Sequence, residues 1–229
     1  MKDGEAGEYN PWGRAKSELI NEIGSYCSYC EKKVNRSSLH IEHVLDKMNY
    51  DNLKYKWDNF LLACCNCNSI KAGKNVALTN PFLPHQNNLV HFIEVDRGGC
   101  IKIKNGVVGS NLNRTIEFID LVGLDREPGH PKYKHSDDRW ENRMETKDLA
   151  ERQFCKYTST PKKTDLETII TLAKEKGFFS VWYYQFSGYS EVLDALINGI
   201  LVKGVQIEPF KGTHIDSFEA PSYKTLERP

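Results

Sequence analysis

Two Cys-x-x-Cys pairs, Cys27/Cys30 and Cys64/Cys67, restrict what this chain can fold into more than any other feature. Each pair turns the backbone tightly enough for both sulfurs to face one ion, and two such knuckles complete a tetrahedral thiolate shell for Zn²⁺. A closed shell of four thiolates leaves no position for water, so its expected role is structural. Structural zinc supplies on the order of 10 kcal/mol of folding free energy. The alternative, four buried free thiols, would make two correctly spaced pairs a coincidence. Seven cysteines is an odd number for a disulfide framework, and the first residues lack an apolar export segment. Both features favour metal thiolates in a reducing, cytoplasmic setting. Cys65 reads as a spectator inside the second knuckle, and Cys100 and Cys155 as packing residues.

The insert between the pairs, residues 31 to 63, is longer than a simple zinc ribbon needs. Its informative part is Leu39-His40-Ile41-Glu42-His43-Val44, whose length and β-propensity suit a short strand. A carboxylate beside an imidazole on such a strand can support metal-assisted phosphodiester hydrolysis. Asn68, directly after the last cysteine of the second pair, adds another hard oxygen donor. With Glu42 it could hold one Mg²⁺-like ion, which keeps waters and takes up phosphate oxygens. Alone, Glu42-His43 would read as a surface pair on an edge strand; framed by the knuckles and followed by Asn59 and Asn68, it reads as chemistry. His40 should share the face of Glu42, as a phosphate or metal contact or as an ordinary surface residue. Lys71, one helical turn after Asn68, is either a contact to a flanking phosphate or a solvated helix lysine.

Taken in order, Cys27-x2-Cys30, Glu42-His43, Asn59 and Cys64-x2-Cys67-Asn68-x2-Lys71 resemble the HNH endonuclease motif with its ββα-metal core. Further stretches, Ile23 to Cys27, Trp57 to Cys64 and Gly177 to Trp182, resemble the HNH nucleases of Septu and Septu-like retron antiphage systems, which act beside an ABC-type ATPase. The resemblance implies His43 as the general base, a task that suits a neutral imidazole with an ordinary pKa near ~6.5. It implies Asn59 as the middle residue, its side-chain oxygen accepting the other ring N–H. It implies Glu42 and Asn68 as ligands of a catalytic Mg²⁺ or Mn²⁺ that stabilises the leaving 3′ oxygen, giving 5′-phosphate and 3′-hydroxyl ends on a nucleic acid, expected to be DNA. Glu42 departs from the Asp that many members carry, which changes its reach toward the ion. Two rivals stay open: a zinc-stabilised nucleic-acid- or protein-binding module without catalysis, and an HNH nuclease of restriction or mobile-element type.

Composition bounds the partners. Among 229 residues, 31 Lys and Arg balance 31 Asp and Glu, and residues 1–75 hold eleven of the cations against ten of the acids. With so little basic excess, nucleic acid must be held by local groups or by a partner, and the isolated chain is expected to bind it weakly. A mean hydropathy of -0.57 and the lack of any long apolar run predict no membrane span.

The overall pattern predicts an α+β protein: an HNH module with zinc knuckles over 1–80, then a mainly helical region with a β-hairpin over 81–229, for partner docking or regulation. The spacing predicts helices over Ala15–Ile23, Arg114–Val122, Asp137–Tyr157 and Leu166–Lys176, several stopped by glycine. A helix is expected to open over Ser69–Lys74, and a hairpin over Leu89–Val95 and Cys100–Ile103. The charged helix near Asp137 reads as a solvated face. The stripe Phe179, Trp182, Tyr183 and Phe186 reads first as a core-facing helix, with base stacking or partner docking as the functional alternatives. Ile200–Phe218 reads as strand-like.

Overall fold

The structure, a computed structural model, describes residues 9–210. A single 3₁₀ turn, Trp12–Ala15, leads into helix α1 (Lys16–Ile23), which ends where Gly24 takes a positive φ of 78°. Strands β1 (His40–His43) and β2 (Phe60–Ala63) pair antiparallel, with Glu42 opposite Leu61 and His43 opposite Phe60. Side chains alternate across a strand, and β2 shows the consequence. Phe60 and Leu62 join Ala15, Leu19, Ile20 and Leu39 in a small apolar cluster under α1. Leu61 and Ala63 join the main core on the other side. Opposite residues share a face, so Glu42 points toward the main core and His43 toward the small cluster.

Helix α2 (Cys65–Lys71) starts four residues before the expected Ser69, because the second knuckle is itself the first turn: the Cys64 sulfur accepts the Cys67 N–H at 3.4 Å. A short helix α3 (Val76–Thr79) follows. The expected hairpin is present but shorter: β3 (Ile93–Val95) pairs with β4 (Ile101–Ile103), while Leu89–His91 is a 3₁₀ turn. Helices α4 (Gly109–Val122), α5 (Arg139–Ser159), α6 (Lys163–Lys176), α7 (Phe179–Gln185) and α8 (Ser190–Asn198) complete the helical part. A last hairpin joins β5 (Ile200–Val202) and β6 (Val205–Ile207); the expected strand continues to Phe218, but residues beyond 210 lie outside those described. The aromatic stripe is core: Trp182 and Phe186 are fully buried and Phe179 nearly so.

The helical part is built directly onto the knuckles. One buried cluster runs from Tyr26 through Leu196, so the two sides of the boundary expected near residue 80 share a core. Gly177 forms a bridge with Lys32 just after the first knuckle, and a Cβ there would lie 2.4 Å from the Glu31 carbonyl oxygen; only glycine permits that approach. The Glu31 carboxylate accepts the backbone N–H and the hydroxyl of Ser180, at 3.0 and 2.6 Å. Helix α5 corrects the expectation of a solvated face: it buries Arg139, Arg143, Thr146, Ala150 and Tyr157. Cys155 is exposed rather than packed, Cys100 is half-buried, and Cys65 is exposed.

Candidate functional site

The two knuckles converge. The ligand atoms of Cys27, Cys30, Cys64 and Cys67 all lie within 4.8 Å of one another, and all four residues are buried. The Cys30 and Cys64 sulfurs are 3.8 Å apart, the edge of a tetrahedron whose metal–sulfur bonds are ~2.3 Å. Interaction with the neighbouring sulfurs, then burial, pushes the Cys30 thiol up, and burial leads in raising Cys67, while the Cys64 sulfur is held down by hydrogen bonds from the other three. Four thiolates cannot coexist in that volume without a cation, so the donor set fits a metal ion of zinc's size and softness. Arg139 supports the cluster from α5. One guanidinium nitrogen donates to the Cys67 sulfur at 3.2 Å and to the Val122 carbonyl at 2.8 Å, while Asp137 grips the same guanidinium through both carboxylate oxygens. Sequence reading missed this arginine because nothing in its local pattern separates it from a surface residue.

His43 leaves the end of β1 between two rings, Phe60 at 5.2 Å and Trp12 at 5.5 Å between centroids, both edge-on. Its Nε2 lies 2.9 Å from the backbone carbonyl of Lys54. A carbonyl only accepts, so in the neutral ring Nε2 carries the proton and Nδ1 keeps the lone pair. Burial holds the His43 pKa below its ordinary value against the Lys54 carbonyl, which favours the charged ring; the nearby Lys47 and Lys71 charges also lower it. At neutral pH the imidazole is therefore ready to accept a proton.

Asn59 departs from the expectation that it would orient the ring. Its Oδ1 accepts the Leu45 N–H at 2.7 Å, and its Nδ2 donates to the Leu45 and Leu53 carbonyls at 2.9 and 3.2 Å. It ties together the two ends of the loop between β1 and β2, and so fixes the Lys54 carbonyl that holds the ring. The connection to His43 is one step longer than expected.

Glu42 and Lys71 also differ from the reading. The Lys71 ammonium lies 2.5 Å from Glu42 Oε1 and donates to the His43 carbonyl at 2.9 Å, with both side chains about 5% exposed. The other carboxylate oxygen accepts the Tyr29 hydroxyl at 2.5 Å. Burial raises the Glu42 pKa while Lys71 and Tyr29 oppose it, and burial with the Glu42 charge raises that of Tyr29. Lys71 is therefore neither a phosphate contact nor a solvated lysine. As arranged, Glu42 offers a divalent ion no free oxygen and presents an ammonium where that ion would sit, so the Glu42/Asn68 pair does not fit the expected catalytic ion in this conformation. Asn68 is half-exposed on α2, three residues before Lys71, and His40 is exposed at the start of β1.

The unit is thus a hairpin followed by a helix, locked by four cysteines and presenting a histidine from the end of its first strand. The HNH endonuclease family matches residues 27–74 of this chain. The chain is also similar to Septu protein PtuB of Bacillus thuringiensis, 30% identical over 122 residues, which make up 50% of this chain and 44% of that protein. The match thus spans less than half of the relative's length. No solved structure matches the chain. No helix among the described residues is long and apolar enough to cross a membrane.

Proposed function

We propose that this chain is an HNH endonuclease that hydrolyses phosphodiester bonds, with DNA as substrate, and serves as the nuclease of a Septu-type antiphage defence complex beside an ABC-type ATPase. One observation carries the catalytic reading: the His43 ring is wedged between Trp12 and Phe60 and pinned through Nε2 to the Lys54 carbonyl, which leaves Nδ1 as the proton acceptor. In this reading Nδ1 takes the proton of the attacking water. The Lys54 carbonyl then stabilises the imidazolium by keeping its hydrogen bond, and Asn59 holds that carbonyl in place. The four-cysteine cluster takes zinc and keeps β1 and β2 in register with α2. The resemblance that brings a retron into some such systems leaves its presence here to the genetic neighbourhood.

A binding module without catalysis has no use for an imidazole held with one nitrogen free. Divalent dependence belongs to the reading because HNH nucleases use divalent ions, but Glu42 becomes a ligand only if Lys71 withdraws, so no step is assigned to the ion. The test is plasmid nicking by wild type and His43→Ala, alone and with the cognate ATPase, with Mg²⁺, with Mn²⁺ and with neither. Cleavage by wild type alone supports the reading; equal cleavage by His43→Ala rejects His43 as the base.

A further inference from the structure

With Lys71 turned inward, the His43 face lacks the cation expected to meet a phosphate, yet two other lysines stand beside it. The Lys47 ammonium lies 4.2 Å from the centroid of the Trp12 ring, itself 5.5 Å from the His43 ring. The Lys54 ammonium lies 5.3 Å from the Tyr55 ring and 5.9 Å from Trp12, while the Lys54 backbone carbonyl is the one that pins His43. Trp12 and Tyr55 lie within 26° of parallel, with centroids 6.3 Å apart.

Both lysines are half-buried, and neither is neutralised well. Among the described residues no carboxylate pairs with Lys47. The adjacent Asp46 carboxylate is turned into its own loop, accepting the Met48 N–H at 3.1 Å and the Asn49 amide at 2.8 Å. The acid paired with Lys54 is Asp51, 3.8 Å away and 87% exposed, an interaction that solvent screens heavily. An aromatic face attracts an ammonium by its quadrupole and takes up none of its N–H groups in conventional hydrogen bonds. Such a lysine is held in place with its donors still free.

We infer that Lys47 and Lys54, held against Trp12, are the phosphate-gripping cations of the His43 face, and that the N-terminal turn carrying Trp12 completes a nucleic-acid site that the matched domain, 27–74, lacks by itself. The inference rests on the nuclease reading and deepens it: the ligand is a phosphodiester backbone, met by two point charges flanking the base. In a chain of zero formal charge, two such contacts are a large share of the available grip. Trp12 is a positioning residue here, since it acts through the lysines.

The test measures binding of the full chain to a fluorescein-labelled DNA duplex and to one of its strands, by fluorescence anisotropy over a salt series without divalent ion. Each phosphate contact contributes about 0.7 to 0.9 to the slope of log affinity against log salt. Lys47→Met and Lys54→Met are each expected to lower that slope by about that amount and to weaken binding several-fold at low salt, while Lys203→Met, in the exposed β5–β6 turn, leaves both unchanged. Trp12→Phe keeps an aromatic face and should retain most of the slope; Trp12→Ala should lose it, and should add little to Lys47→Met. If both lysine variants keep the wild-type slope while wild type still nicks plasmid in a His43-dependent way, the inference fails and the nuclease reading stands. A lysine-dependent slope with nicking that survives His43→Ala supports the inference and rejects the base. Wild type that binds neither probe overturns the inference, and wild type that also fails to nick with its ATPase overturns the nuclease reading with it.

Discussion

The sulfur cluster and the His43 face lie at two ends of the same hairpin–helix unit and are built on opposite plans. The cluster is closed and symmetric: two short pairs supply every ligand, each pair's spacing turns its own two sulfurs together, and the β1–β2 hairpin brings the pairs within 4.8 Å. The His43 face is assembled from separate stretches: Trp12 from the N-terminal turn, His43 from β1, the Lys54 carbonyl from the loop, and Phe60 from β2. A site coded by spacing survives as a pattern in sequence. A site coded by tertiary packing is visible there only as its most reactive residue.

The comparison breaks most readily at the metal. Removing one sulfur, as in Cys64→Ala, should abolish binding of about one zinc per chain and cost much of the roughly 10 kcal/mol that such a site supplies, because both knuckles anchor the helical part. Elemental analysis and far-ultraviolet circular dichroism check it; a variant that loses zinc yet melts like wild type would show the cluster to be dispensable.

The next effect separates structure from chemistry at Glu42. Lys71→Met leaves a buried carboxylate with only Tyr29 for company and should cost about 3–5 kcal/mol in urea unfolding. Replacing both partners, Glu42→Leu with Lys71→Met, should recover most of that loss. If the double variant is as unstable as the single one, the pair is more than a mutual neutralisation.

How much of this was legible can be read from particular residues. The four cysteines, the strand carrying Glu42-His43, the glycine stops at Gly24, Gly123 and Gly177, and the buried stripe of α7 each follow from a local pattern. The inward turn of Lys71 was not legible, because a helical lysine is normally solvated and only the buried acid across the hairpin changes that. The same holds for Arg139 and Arg143: a polar helix looks exposed until carbonyls and a thiolate are waiting for its guanidinium groups. The partner of the His43 ring is a backbone carbonyl, and a backbone group carries no sequence signature at all.

A second histidine sharpens the contrast with His43. Burial lowers the His85 pKa to about 4, against a small opposing pull from Asp58, and its buried Nδ1 has no hydrogen-bond partner. In the unfolded chain the same ring titrates near ~6.5, so between those values the unfolded state binds the extra proton. The folded state therefore keeps its full stability above about pH 6.5 and loses up to roughly 3 kcal/mol as pH falls to about 4. Urea midpoints across that range should fall in wild type and fall less in His85→Phe. An equal decline in both would assign the acid lability to other groups.

Asn59 should give the smallest change in stability and the most telling one in function. Its side chain makes three hydrogen bonds, all to the backbone of the loop between β1 and β2. Asn59→Ala should cost about 1–3 kcal/mol, too little to unfold the domain. The Lys54 carbonyl would lose its fixed position, and the His43 ring would no longer be held with Nε2–H on that carbonyl and Nδ1 free to accept a proton. If Asn59 acts through this loop, kcat should fall by about 10- to 100-fold with KM nearly unchanged, since no group that meets substrate has been removed. Asn59→Asp sharpens the test. It keeps the oxygen that accepts the Leu45 N–H but sets a carboxylate against the Leu45 and Leu53 carbonyls, so it should be at least as damaging as alanine. If Asn59→Asp instead retained activity, the contact to the Leu45 N–H alone would hold the loop, and the two contacts to the Leu45 and Leu53 carbonyls would be dispensable.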